Sequence, residues 1–236
     1  MVVTHFPPTH LADEHGLLAV GGDVEVESLL LAYRQGIFPW PLQEGLLTWF
    51  APPERAILEV ERFMLSRSMK RFLKRHEYSL FINRDFERTI LCCQQSANRE
   101  GQRGTWITDT LVEGYIELFR AGYANSIECY EGEQLVGGLY GVSIGQMFAG
   151  ESMFHRKDNT SKLCFCFLLE WLRRAEVPWV DCQVLTPLTE SFGAHEVPRK
   201  EFEQLLSERL ALQGDPLFSR ETVEIGIWRG SRLPPL

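Results

Sequence analysis

Residues 126–154 read SIECYEGEQLVGGLYGVSIGQMFAGESMF. The stretch is rich in apolar and small residues, and turn-forming residues interrupt it at 131–133 and 143–146. That pattern predicts two or three strands joined by tight turns. Upstream, TLVEGYIELFRAG (from Thr110) sets Leu111, Tyr115, Leu118 and Phe119 on one helical face. It carries a Thr110–Glu113 capping-box pattern and ends at Gly122. Downstream, residues 160–175 contain LCFCFLLEWL, a run so apolar that its helix must be buried. PWVDCQVL then reads as a strand, and 198–210 as an amphipathic helix with proline at its start. Helix, antiparallel strands, buried helix, strand, helix is an α+β order, with the buried helix packed on a mixed sheet.

Residues 1–54 differ in character. They are dense in Gly and Pro, with one short helix expected at 26–35, stopped by Gly36, and a Pro-rich loop carrying Trp49 and Phe50. We read them as a small irregular N-terminal domain, followed by a larger domain at 55–236 that opens on the strand AILEVE.

The chain of 236 residues is acidic, with 24 basic and 32 acidic side chains and a net charge of -8. Its apolar runs stay short of the roughly 18 residues of a membrane span. The start, MVVTHFPPTHLADEHG, lacks the basic and apolar regions of a signal peptide. A cytoplasmic enzyme is therefore expected. The six cysteines form no C-x-x-C pair and read as small buried hydrophobes. His5, His10 and His15 match no usual metal spacing, so no metal is expected. P-loop, dinucleotide-binding and nucleophile-elbow motifs are absent from the sequence, which disfavours nucleotide hydrolysis and dinucleotide chemistry.

Against this acidic background, RSMKRFLKR (Arg67–Arg75) concentrates five cations in one helical stripe: Arg67, Lys70, Arg71, Lys74 and Arg75. Leu65, Met69, Phe72 and Leu73 fall opposite and can anchor the helix. The stripe is either a solvated face or a surface that tracks nucleic-acid phosphates. In WVDCQ, a period of two sends Asp181 and Gln183 to one face. They form either a structural hydrogen-bonding pair or positioned acceptors for an attacking amine. Glu151, in GESMF, is either an edge-strand residue or a group that orients substrate. Trp40 and Trp106 lie in loop contexts, as core lids or stacking platforms.

Taken in order, LLAVGGD, LLLAYRQGIFPW, RSMKRF, GTWIT, LVGGLYG, GESMF, Ser161–Lys162, DCQ and SFGAHEVPR resemble the bacterial leucyl/phenylalanyl-tRNA–protein transferases over residues 14–206. The resemblance implies an acetyltransferase-like (GNAT-type) mixed sheet with packed helices behind the small N-terminal domain. It implies transfer of Leu or Phe, with Met a further candidate, from aminoacyl-tRNA to an N-terminal Arg or Lys, marking the product for N-end-rule degradation. No cofactor and no membrane are implied. Asp181, Gln183 and Glu151 would be catalytic, Trp40 and Trp106 would hold the aminoacyl-adenosine end, and Leu139, Met153 and Phe165 would form the apolar donor pocket. The basic stripe would grip the acceptor stem. The chain departs from the family pattern at WFAPPER, His155, NTSK and Pro187. Two other readings compete: a coenzyme-A-dependent N-acetyltransferase, whose Gly-rich loop would have to stand where HRKDNTSK stands, and a non-catalytic tRNA-binding protein.

Overall fold

The computed structural model describes residues 2–41, 46–96 and 106–233. Residues 42–45 of the Pro-rich loop and the Gly-Thr that opens GTWIT lie outside these. In chain order come β1 (Leu17–Val20), α1 (Val26–Arg34), β2 (Phe38–Pro39), β3 (Thr48–Phe50), β4 (Glu54–Glu59), α2 (Arg67–Arg75), β5 (Ser79–Ile82), α3 (Phe86–Gln95) and α4 (Asp109–Arg120). Next are β6 (Ala124–Glu131), β7 (Gln134–Ile144), β8 (Met147–His155), α5 (Thr160–Arg174), β9 (Trp179–Gln183), α6 (Pro187–Ser191), β10 (His195–Pro198), α7 (Arg199–Ala211) and β11 (Val223–Gly226).

The stretch at 126–154 forms the three-stranded meander β6–β7–β8, with two-residue turns at Gly132 with Glu133 and Gly145 with Gln146. It is the middle of an eight-stranded sheet in the order β10-β4-β9-β8-β7-β6-β5-β11. Pairings are antiparallel except β8 with β9, which run parallel and meet at Ala149 and Asp181. A parallel neighbour needs a crossover, and α5 supplies it. Its apolar run is almost wholly buried. The approach is close because Gly137 has no side chain: a Cβ there would lie 2.3 Å from Thr160 Oγ1. Thr160 instead donates to the Val136 carbonyl at 2.8 Å.

Residues 17–50 prove more regular than expected. α1 is accompanied by a small antiparallel sheet, β1-β3-β2. Proline hid its edge strand, since β2 contains Pro39, which is tolerated only where no ladder donor is needed. α1, β2 and β3 share a hydrophobic cluster with α4, β7 and α7 through Tyr33, Phe38, Trp49, Tyr115, Tyr140 and Phe202.

The helix cap at α4 also differs. Thr108, not Thr110, is the N-cap, and its hydroxyl accepts from Leu111 N at 3.3 Å. Thr108 is extended whereas Thr110 lies within the first turn, so Asp109 gains the favourable N-terminal position. Cys92, Cys93, Cys129, Cys164 and Cys166 are buried, and Cys182 is partly buried. Among the described residues no helix is long and apolar enough to cross a membrane.

Candidate active site

Asp181 sits at the parallel junction of β9 with β8 and opposite Ile57 of β4. Arg55, also on β4, meets it with two parallel bonds: Nε to Oδ1 at 2.8 Å and Nη2 to Oδ2 at 2.6 Å. Its Nη1 donates to the Gly36 carbonyl at 2.9 Å. The guanidinium lies between the rings of Phe38 and Phe202, at 4.6 and 4.5 Å from their centroids. The two charged side chains are 2% and 1% exposed, so the ion pair is fully desolvated and survives because its hydrogen-bonding capacity is met. Gly36 has φ +73 at the end of α1, and a Cβ there would come within 3.0 Å of the Phe202 ring. Only glycine fits both demands.

The regular alternation of β9 stops at Asp181. The register with β4 shifts between Ala56 and Ile57, and Gln183 adopts φ +61. Val184 N donates to Cys182 O at 2.7 Å, which makes Gln183 the centre of a strained three-residue γ-turn. A non-glycine residue in this region costs about 1–3 kcal/mol and persists only where its surroundings enforce it. Asp181 does so by accepting Gln183 N at 2.9 Å. The strand expected to run through Val184 and Leu185 therefore ends at Gln183, and the turn, not the strand period, aims its side chain.

That side chain reaches Glu151 on β8: Nε2 donates to Oε1 at 2.7 Å. Tyr33 of α1 donates to the same oxygen at 2.7 Å, and Tyr115 of α4 donates to Oε2 at 2.9 Å. The two phenol oxygens are themselves 2.6 Å apart. Three oxygen–oxygen contacts among three groups need three protons, and the phenols supply two. Both phenols donate to ionised Glu151; protonating Glu151 supplies the third proton and turns the Oε2 bond round, so that Glu151 donates to Tyr115, Tyr115 to Tyr33 and Tyr33 back to Glu151. Burial pushes the Glu151 carboxyl up to about 7, against the opposing pull of the Tyr33 and Tyr115 bonds. Burial also raises both phenols well above their ordinary range, so they stay protonated.

Asp181, Gln183 and Glu151 thus share one hydrogen-bonded network. Trp40 and Trp106 also come together, stacked at 5.0 Å with their planes 9° apart. Trp40 is partly exposed and joins the hydrophobic cluster that holds Tyr33 and Tyr115. Leu139, Met153 and Phe165 are not brought to these tryptophans. They belong to the separate cluster around α5, where Leu139 pairs with Met153 across β7 and β8 and Phe165 stacks on Phe192 at 4.8 Å. Of the three, only Met153 is partly exposed. On α2 the five cations are exposed while Met69 and Leu73 are buried, and Ser66 caps the helix by accepting from Met69 N at 3.1 Å. Arg55, Tyr33 and Tyr115 were not anticipated.

The leucyl/phenylalanyl-tRNA protein transferase family matches residues 57–207, and its N-terminal domain matches residues 22–53. A leucyl/phenylalanyl-tRNA–protein transferase from Anaeromyxobacter sp. is 47% identical over 205 residues, covering 87% of this chain and 88% of that protein. One from Flavobacterium johnsoniae is 42% identical over 204 residues, covering 86% and 96%. Another, from Pseudoalteromonas atlantica, is 45% identical over 206 residues, covering 86% and 87%.

Proposed function

The chain belongs to the leucyl/phenylalanyl-tRNA–protein transferase family, whose reaction carries an aminoacyl group from tRNA to a protein, and from that premise we propose how its residues perform the transfer. The donors are Leu and Phe, with Met a further candidate, and the acceptor presents an N-terminal Arg or Lys. The product enters N-end-rule degradation. The fold is GNAT-type: an antiparallel meander passes through a buried helix into a parallel neighbour, as β8, α5 and β9 do here.

The donor is an ester and already activated. Holding it beside the amine supplies about 7–11 kcal/mol of the barrier reduction. β8 and β9 pair only at Ala149 and Asp181, and beyond that point the strands are linked by the Glu151–Gln183 side-chain bond. The reacting ends meet at this opening. The Gln183 amide is oriented by its nitrogen, which donates to Glu151, and its oxygen accepts from the incoming amine. Asp181 is a positioning residue: both its oxygens are occupied by Arg55, and it holds the Gln183 turn through the backbone. Ionised Glu151 takes one proton from the N-terminal ammonium. The neutral amine attacks the ester carbonyl, an N–C bond forms, the C–O bond to the ribose breaks, and the second proton leaves with the ribose oxygen. Trp40 offers its partly exposed face to the terminal adenine. Met153 is the first contact for the donor side chain, with Leu139 and Phe165 behind it. Such an apolar wall discriminates by about 1–3 kcal/mol per methylene.

The observation that carries this reading is the strained Gln183 turn aimed at Glu151. Gln183→Ala is expected to slow single-turnover transfer at least tenfold, and Asp181→Asn to slow it as well. Full rates in both variants would refute the assignment. Substrate classes are tested by incubating charged Leu-, Phe- and Met-tRNA with peptides starting in Arg, Lys, Asp or Ala. Transfer to the Asp or Ala peptides at equal rates overturns the acceptor assignment.

The exposed stripe Arg67, Lys70, Arg71, Lys74 and Arg75 holds the phosphates of the acceptor stem. Reversing charge at Lys70, Arg71 and Lys74 is expected to weaken tRNA binding and to flatten the log–log salt slope by roughly 2–3. An unchanged slope returns these residues to a solvated face.

A further inference from the structure

A second feature lies toward the other edge of the sheet. From β8, the strand of Glu151, three neighbour steps lead to β5. At about 4.8 Å per step this is roughly 14 Å. There a cavity of about 750 Å³ opens between the end of α2, the start of β5 and the β6–β7 turn. One wall is a cluster of three rings, in which Phe72 and Tyr78 also meet, at 6.2 Å and 33°. Phe72 stacks on His76 at 5.5 Å and 22°, and His76 stacks on Tyr78 at 5.9 Å and 12°. Phe72 and Tyr78 are partly exposed, and Arg71 and Arg75 stand exposed beside them.

The wall is built in advance. His76 is buried, its Nε2–H donates to the Trp228 carbonyl at 2.7 Å, and its Nδ1 accepts from Tyr78 N at 3.2 Å. Those two bonds require the neutral ring and fix its plane. Arg229 donates to the Lys74 carbonyl at 3.0 Å and to the His76 carbonyl, securing the last carbonyls of α2. The residues that do this, Trp228 and Arg229, lie beyond the stretch matched by the family. Two carboxylates, Glu77 and Glu131, also line the cavity, and Glu131 is paired with Lys157. One open carboxylate against two arginines leaves the cavity cationic.

We propose that this cavity takes one nucleotide of the bound tRNA, its base stacked on Phe72 and Tyr78 and its phosphate held by Arg71 and Arg75. The inference rests on the aminoacyl-tRNA reading above. Aromatic faces beside cations are the general means of holding an unpaired nucleotide, since every base has a π-face and every phosphate a charge. The open carboxylate suits the exocyclic amines that bases carry. A cavity of this size accommodates a nucleotide. Its distance across the sheet makes the nucleotide a different one from the adenosine that bears the aminoacyl group. The arginines continue the α2 stripe, so phosphate tracking and base stacking form one surface.

The test is the affinity of the full chain for uncharged tRNA across a salt series, with thermal melts to confirm folding. Phe72→Leu combined with Tyr78→Leu keeps apolar bulk and removes the π-faces. Affinity is expected to fall roughly tenfold or more, with the salt slope unchanged because no cation has been removed. Phe72→Trp, alone, is expected to bind within twofold of the parent. Leucine variants that bind within twofold of the parent overturn the proposal. So does a Phe72→Trp variant as weak as the leucine variants, because the loss then comes from packing. A parent protein that binds tRNA and transfers nothing overturns the transferase mechanism instead, and leaves this cavity standing.

Discussion

Arg55→Ala should lower stability by about 3–5 kcal/mol, because it strands the Asp181 carboxylate in a dry interior. The pair is 2% and 1% exposed, so water cannot replace the lost partner. The same change removes a donor from the Gly36 carbonyl and empties the space between Phe38 and Phe202. Arg55→Lys should recover only part of the loss, since an ammonium cannot bridge both Asp181 oxygens and the Gly36 carbonyl in one plane. A double change, Arg55→Met with Asp181→Leu, removes both charges and should be far more stable than Arg55→Ala. It should nevertheless transfer poorly, because Gln183 N then loses the acceptor that holds its turn. Urea denaturation of the three variants, with single-turnover transfer on each, separates the pair's structural role from its positioning one. If Arg55→Ala unfolds within 1 kcal/mol of the parent, the ion pair is not desolvated as described.

The fold was largely legible because the deciding segments carry strong local signals. The meander is cut into strands by two turn signals, α5 is apolar nearly all round, and the α2 cations recur at helical spacing. The site was legible only where a motif marked it. Tyr33 and Tyr115 sit at positions that a helix reserves for its apolar face, following Leu29 and Leu111 by one turn. There a tyrosine cannot be told from a phenylalanine, and only tertiary packing turns both hydroxyls onto Glu151. Arg55, after two prolines and a glutamate, reads as an exposed strand start, and its burial depends on the later strands β9 and β10. The γ-turn at Gln183 leaves no trace in the alternation of DCQVL. The separation of Leu139, Met153 and Phe165 from the tryptophans was hidden likewise. It depends on which face of the sheet each strand turns to α5, and a bulge on β8 alters that alternation, Glu151 being the extra residue between Gly150 opposite Gly141 and Ser152 opposite Tyr140.

Glu151→Gln should make the protein more stable at pH 8 while slowing its chemistry. The Glu151 carboxyl titrates at about 7 when folded, against an ordinary value of 4.5. Below about 4.5 folded and unfolded chains both hold the proton, and ionisation costs the fold nothing. Between 4.5 and 7 only the folded chain holds it, so stability falls as pH rises. Above 7 the penalty is complete, up to about 3 kcal/mol, less whatever solvent screens at the partly exposed edge of the residue. Glutamine escapes the penalty and keeps the ring: its amide nitrogen donates to Tyr115, and its oxygen accepts from Tyr33 and Gln183 as the protonated acid does. Melts should therefore coincide near pH 4, and the variant should melt higher at pH 8. What glutamine cannot do is accept a proton. A base poised near neutrality contributes about 10²–10⁴-fold, so transfer at pH 7.5 should drop by roughly a hundredfold. The deficit should shrink toward pH 9, where an α-amine of pKa about 8 is neutral unaided. A constant rate ratio across that range removes Glu151 from the proton's path, and equal melting at pH 8 removes the burial penalty from which its elevated pKa arises.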